Sequence, residues 1–84
     1  MNVDHIVCRS LTYAQRPSVV LEREGISNHV LRTPAHLSDK GCGYAVKISH
    51  KRLTDALSAL NGVNLTPNRV LIALGNGSYR EVSL

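Results

Sequence analysis

The two halves of the chain repeat one pattern of apolar runs. In each half a short apolar run precedes a stretch with helical spacing, and a glycine followed by an apolar residue then leads into the next run. Short apolar runs are typical of strands, and a glycine after a helix is typical of a left-handed cap. The caps expected here are Gly25-Ile26 and Gly62-Val63. The repeated pattern predicts two similar units, each with a strand, a helix and a strand.

Four runs are predicted to be strands of one sheet. Each is rich in Val, Ile and Leu, which suits a pleated and half-buried surface. After the fourth strand, Asn76-Gly77 is typical of a tight hairpin turn, so a short return strand is expected at Tyr79–Val82. The four main strands are His5–Cys8, Asn28–Arg32, Tyr44–Ile48 and Val70–Leu74.

The first helix is predicted over Ser10–Gly25, where Thr12 and Gln15 have capping-box spacing. Pro17 is awkward inside this range, because an interior proline lacks the N–H that a helix needs. The helix is therefore expected to start later or to bend at that residue.

The second helix has the clearest periodicity in the chain. Its apolar residues recur at i, i+3, i+4 and i+7, and Ser49 can cap its start. These apolar residues are Leu53, Ala56, Leu57 and Leu60.

The order of elements predicts an α+β fold, a ferredoxin-like βαββαβ two-layer sandwich with a short extra C-terminal strand. The 84 residues suit one domain, expected over residues 1–84. The core must come from Val, Leu, Ile and Ala, because the chain has three Tyr and neither Phe nor Trp.

The chain shows no targeting pattern and no apolar stretch of roughly 20 residues, the length that spans a bilayer. We therefore expect a cytoplasmic protein without a membrane partner. In that compartment both cysteines, Cys8 and Cys42, rest reduced. The formal net charge of +4 favours anionic partners in general.

The predicted topology brings the two cysteines together. The first and third strands of such a sheet are adjacent and antiparallel, so the end of the first meets the start of the third. Cys8 closes the first strand and Cys42 comes just before the third. The start of the first helix and the loop 33–41 lie at the same edge.

This edge suits thiol chemistry, because helix N-termini and nearby cations lower the pKa of a thiol. Arg9 follows Cys8, and Gly41 and Gly43 flank Cys42 with no side-chain bulk, so that backbone N–H groups can face its sulfur. Cys42 is the candidate reactive thiol. Cys8 is either a resolving thiol or a small buried apolar residue.

The sequence gives less support to a metal site or an acid–base site. His36 shares the loop with Cys42, so a metal site with Cys8 is conceivable, but the chain lacks a Cys-x-x-Cys pair. We expect no metal and no cofactor. The acidic residues are scattered along the chain and His50 is expected at the surface, so no acid–base pair is predicted.

Two stretches resemble the Se/S carrier-like family of small bacterial proteins. They are Cys8-Arg9-Ser10-Leu11-Thr12-Tyr13-Ala14-Gln15-Arg16 and Pro34 to Gly43. The family pattern also has a Gly-Ile turn, here Gly25-Ile26, and a Cys-Gly before the next strand, here Cys42-Gly43. The resemblance covers about residues 5–74. It implies a carrier of sulfur or selenium on the cysteine that matches Cys42.

The leading hypothesis is accordingly a carrier rather than an enzyme with its own turnover. Cys42 would accept sulfur or selenium from a donor protein and pass it to an acceptor protein. Side chains at the edge would shape the site, namely Arg9, Thr12, Ser38 and Lys40.

Three other functions are weighed against the carrier. One is a redox switch in which Cys8 and Cys42 form a reversible disulfide. Another is RNA binding, which this topology supports elsewhere through aromatic residues on the sheet. The two strands concerned offer only Tyr44, which argues against nucleic acid. The last is a regulatory or interaction module without chemistry, with a homodimer through the sheet edge or face left open.

Overall fold

The structure is a computed structural model that describes residues 3–33, 43–65, 67, 69–74 and 78–83. These residues form two α-helices, a short 3-10 turn at His50–Arg52 and five strands. In chain order the elements are β1 (Val3–Cys8), α1 (Leu11–Arg23), β2 (Asn28–Arg32), β3 (Tyr44–Ser49), α2 (Leu53–Asn61), β4 (Arg69–Ala73) and β5 (Tyr79–Ser83).

The five strands form one antiparallel sheet in the order β2-β3-β1-β4-β5. This confirms the predicted α+β class, and the order of the first four strands is compatible with the ferredoxin-like arrangement. β1 and β3 are central neighbours, and Ile6 pairs with Val46 in the middle of their ladder. β5 adds the expected short strand beside β4, with Ala73 opposite Tyr79.

The core lies between one face of the sheet and the two helices. Alternate residues of the central strands, Ile6, Val46 and Val70, point into it. They pack against the apolar sides of the helices, which contribute Ala14, Leu21, Leu53, Ala56 and Leu60. In the part of the chain that the structure describes, no helix has both the length and the apolar character needed to cross a membrane.

The start of α1 differs from the prediction. Ser10 is the cap residue, and its hydroxyl accepts a hydrogen bond from the Tyr13 N–H at 3.4 Å. Thr12, predicted as the cap, lies inside the first turn. The helix then runs without interruption through Pro17, which is buried. Packing of the proline ring therefore accounts for a residue that the helical pattern alone left unexplained.

The two helices end with the same kind of cap, and its left-handed residue is the predicted glycine in the first helix only. Gly25 has a φ of +74°, and the N–H of Ile26 donates to the carbonyl of Leu21 at 2.8 Å, as predicted for a Schellman cap. Gly62 instead keeps a right-handed φ of −64°.

The left-handed residue of the second cap is Asn64, with a φ of 60°. The N–H of Leu65 donates to Leu60 at 2.9 Å and closes the cap. α2 does end at Gly62, its C-cap residue, as predicted. The expectation that this glycine is left-handed was wrong: Asn64 takes that conformation, which asparagine also tolerates.

The start of α2 also corrects the prediction. Ser49 precedes the 3-10 turn, and its side chain makes no capping hydrogen bond. Arg52 occupies the cap position of α2, which begins at Leu53. The 3-10 turn therefore separates β3 from α2, and it places His50 beside the start of β1.

A buried carboxylate ties this end of the sheet together. Asp4 is fully buried, and its Oδ1 accepts a hydrogen bond from the Ala73 N–H at 2.8 Å. Its Oδ2 lies 2.7 Å from Nδ1 of His50, whose side chain is 48% exposed. His50 lies at the surface, as predicted, but its contact with the buried Asp4 was not predicted. Their separation along the chain hides the pairing from any local pattern.

Candidate functional site

The candidate site lies at the opposite end of β1 from Asp4. Cys8 is the last residue of β1 and pairs with Tyr44, the first residue of β3. This confirms that the end of the first strand meets the start of the third. Arg9 follows Cys8, and Thr12 lies in the first turn of α1. Other predicted site residues lie outside the described part of the chain: His36, Ser38, Lys40, Gly41 and Cys42.

Gly43 is fixed tightly against the end of β1. Its φ is +130°, and a Cβ at this position would lie 3.2 Å from the backbone oxygen of Cys8. Its carbonyl accepts a hydrogen bond from the Thr33 N–H at 3.0 Å. A glycine is required here because the backbone approaches its neighbour closely in a conformation that side chains rarely adopt. The peptide bond to Cys42 therefore leaves from a well-defined point beside Cys8.

The thiol of Cys8 is half-buried and packs against the core. Its S–H donates to the backbone oxygen of Ile6 at 3.7 Å. Burial raises the pKa of this thiol from 9.0 to about 11. At neutral pH Cys8 is therefore protonated, and a protonated thiol is a weak nucleophile.

Arg9 does not offset the effect of burial on the pKa of Cys8. Its guanidinium lies over the ring of Tyr13, 5.2 Å from the ring centroid, in a cation–π contact. Desolvation alone accounts for the raised pKa of Cys8. The predicted activation of a thiol by Arg9 therefore does not act on Cys8.

Thr33 contributes a buried hydroxyl that the sequence reasoning did not single out. Its side chain is 7% exposed, and its Oγ1 lies 3.9 Å from where a Cβ of Gly43 would be. Among the described residues, no hydrogen-bond partner satisfies this hydroxyl. A buried polar group without a partner is costly, and such groups often lie at functional positions. In the sequence, the residue after Thr33 is Pro34, which is typical of the start of a loop after a strand.

A cleft of about 360 Å³ opens beside Cys8, between the start of α1 and the segment that follows α2. Its floor is apolar and includes Ile6, Pro17 and Leu65. Two arginines, Arg9 and Arg16, also line it. The cleft therefore combines an apolar floor with positive charge next to the Cys8 thiol.

A second, shallower cleft of about 660 Å³ continues along α1. Both clefts are lined by Arg16, Asn64 and Leu65, so they adjoin each other. Thr12 lines the second cleft rather than the first. We call the combined depression the α1 groove and define it by Cys8, Arg9, Tyr13, Arg16, Val19 and Val63.

Two groove residues, Tyr13 and Arg16, were not among the predicted site residues. The available signal was their spacing of three residues, which places both on one side of the helix, while Arg9 lies just before its cap residue, Ser10. As for metals, the described residues hold no group of three or more His, Cys, Asp or Glu side chains suited to bind one.

Comparison with known proteins adds one match. The model of the family described as "Putative Se/S carrier protein-like" matches residues 5–71. The chain belongs to this Se/S carrier-like family. No curated protein and no solved structure matches the chain.

The Se/S carrier-like match spans both cysteines and Gly43, and it includes the Thr33 strand end. It therefore covers the whole junction between β1 and β3. β5, at Tyr79–Ser83, lies beyond the matched residues. The candidate site belongs to the part that this chain shares with the family, whereas the fifth strand lies outside it.

Proposed function

We propose that this protein carries sulfur or selenium on Cys42 and passes it between a donor protein and an acceptor protein. The observation that carries the proposal is the family match across both cysteines and the β1–β3 junction. Cys42 is bonded to Gly43, whose close packing against Cys8 fixes where the segment leaves the sheet.

The chemistry of Cys8 supports assigning the cargo to the other cysteine. A carrier thiol must be available as a thiolate near neutral pH. Burial raises the pKa of Cys8 to about 11, which keeps this thiol protonated. Cys42 is the chain's remaining cysteine, and so the proposal places the cargo there.

The transfer step conserves atoms and electrons when the donor is a persulfide. The Cys42 thiolate attacks the outer sulfur of a donor R–S–SH, the donor S–S bond breaks, and a new S–S bond forms on Cys42. The donor leaves as a thiolate, R–S⁻, which takes up the proton that the Cys42 thiol released. A perselenide donor, R–S–SeH, delivers selenium by the same exchange. Neither transfer needs an external oxidant.

Mass spectrometry of the intact protein tests the proposal. Incubation with a cysteine persulfide should add the mass of one sulfur to the wild type and to Cys8→Ser. The same treatment should leave Cys42→Ser unmodified. Loading of Cys42→Ser to the level of the wild type would reject the proposal, because the sulfur would then sit elsewhere.

A thiol switch is the second candidate, favoured by the pairing of Cys8 with Tyr44, which follows Cys42 by two residues in the sequence. Forming the disulfide removes two electrons and two protons from the thiols, and hydrogen peroxide can serve as the oxidant. Peptide mapping after peroxide treatment should find a Cys8–Cys42 bridge if the switch operates. Peroxide treatment that leaves both thiols unpaired rejects it.

A further inference from the structure

The α1 groove carries positive charge that the described part of the chain leaves unbalanced. Arg9 and Arg16 both line it, and among the described residues neither has a carboxylate within salt-bridge distance. Among the residues that the structure describes, no acidic side chain lines either of its two clefts. The described carboxylates lie elsewhere in the fold: Asp4, Glu22, Glu24, Asp55 and Glu81. The groove therefore favours a negatively charged occupant.

The same groove exposes large apolar side chains. Tyr13 is 54% exposed, Val19 46% and Val63 50%. Apolar side chains gathered around a depression are typical of interaction surfaces, and tyrosine and arginine are common energetic anchors there. An occupant that matches this surface needs both apolar and acidic groups. It must also extend beyond the cleft beside Cys8, because Val19 and Val63 line the second cleft.

The walls of the groove are held in place by the fold. Asn64 lies in the left-handed conformation, and the Leu65 N–H is bonded to Leu60, so this wall follows the end of α2 rigidly. On the other side, Pro17 is buried and forms part of the floor. A preformed groove loses little conformational entropy when a partner binds.

We infer that the α1 groove is a docking site for an acidic, amphipathic segment of a protein partner. The segment's apolar residues pack on Tyr13, Val19 and Val63, and its carboxylates face Arg9 and Arg16. The assignment of this partner as the donor or the acceptor rests on the proposed carrier function. Cys8 lines the groove and pairs with Tyr44, so a docked segment lies beside the start of β3, the strand that follows Cys42 in the sequence.

A titration followed by NMR tests the docking site. The probe is a synthetic helical peptide with glutamates on one face and leucines on the other. Its addition should shift the amide signals of residues 9–20 and 63–65 in the ¹⁵N-labelled protein. Arg9→Glu and Arg16→Glu should each weaken the peptide's affinity roughly tenfold, since each turns an attraction into a repulsion. Arg80→Glu, an exposed arginine on β5, is the matched control and should leave the affinity unchanged.

Three outcomes would overturn the inference. One is equal binding of a peptide with lysine in place of glutamate, and another is a set of shifts that lies away from the groove. The third is saturable binding of citrate at the groove without binding of the peptide, which would make it a site for a small anion.

The outcome for docking is separate from the outcome for the carrier function. Peptide binding does not involve the cargo, so Cys42→Ser should bind the acidic peptide as the wild type does. Retained peptide binding together with a failure to load sulfur would reject the carrier function alone. Normal loading with no peptide binding would reject the docking site alone.

Discussion

The two ends of β1 differ in whether their buried polar groups have hydrogen-bond partners. At the start of the strand, Asp4 is fully buried, and both of its oxygens have partners inside the chain, on Ala73 and His50. At the other end, the Thr33 hydroxyl has no partner among the described residues, and Cys8 bonds only weakly to Ile6. The first end satisfies its buried carboxylate within the fold, whereas the described residues at the second end leave the Thr33 hydroxyl without a partner.

The largest expected effect is at Gly43. Gly43→Ala should lower the free energy of unfolding by about 3 kcal/mol, because the new Cβ crowds the Cys8 carbonyl in a strained backbone conformation. Gly62→Ala is the matched control, since Gly62 has a helical φ of −64°. That change should be neutral or stabilising by roughly 0.5 kcal/mol. Urea denaturation measures both, and equal stabilities would show that the β1–β3 junction tolerates bulk.

The next effect is at the opposite end of β1. Asp4→Ala should cost about 2 kcal/mol, because it leaves the Ala73 N–H without its acceptor and removes the partner of His50. His29→Ala, an exposed histidine on β2, should change the stability little. Sulfur loading of Asp4→Ala, measured at a temperature where it is folded, should match the wild type. Reduced sulfur loading in the folded variant would contradict the idea that the Asp4 end of β1 serves stability alone.

A smaller effect is expected at the groove wall. Asn64→Ala should cost about 1 kcal/mol, because alanine is disfavoured in the left-handed conformation at a φ of 60°. Asn64→Gly should stay close to the wild type, since glycine adopts that conformation freely. Thermal unfolding of the three proteins gives the comparison. A midpoint for Asn64→Ala as high as that for Asn64→Gly would mean that this cap does not hold the wall.

The smallest effect concerns the pH dependence contributed by Cys8. Its pKa is higher in the folded protein, about 11, than the usual 9.0, so unfolding favours release of the thiol proton. The stability that Cys8 contributes is thus fully present below about pH 9 and decreases as the pH rises towards 11. Denaturation at several pH values should show a steeper loss for the wild type than for Cys8→Ala. Parallel curves would mean that the thiol is not desolvated.

Much of the fold follows from local patterns in the sequence. The apolar residues of the central strands and of α2 recur at the spacing typical of each element. A glycine followed by an apolar residue, as in Gly25-Ile26, predicts a left-handed helix cap. The left-handed residue of the second cap was predicted at Gly62, because glycine favours that conformation more than asparagine does, but Asn64 adopts it. The Ser10 cap was missed because Thr12 matched a motif at the wrong position. The error at the second cap leaves the end of α2 at Gly62, the error at Ser10 shifts the start of α1, and neither changes the topology.

The candidate site was only partly predictable. The topology placed Cys8 against the start of the third strand, as the structure shows. The tight contact of Gly43, the burial of Cys8 and the pairing of Asp4 with His50 depend on atoms brought together from distant parts of the chain. The spacing of residues within a short stretch of sequence does not predict such contacts. Cys42 itself lies outside the described residues.

β5 has a consequence for how this chain can associate with others. It occupies the side of β4 that a four-stranded version of the sheet would leave as an unpaired edge. Open edges invite a strand from a second molecule, whereas charged outer strands discourage it. β5 carries Arg80 and Glu81 in that position, and it lies beyond the residues shared with the family. A chain truncated after residue 74 should therefore be more prone to pair edge to edge, through domain swapping or aggregation.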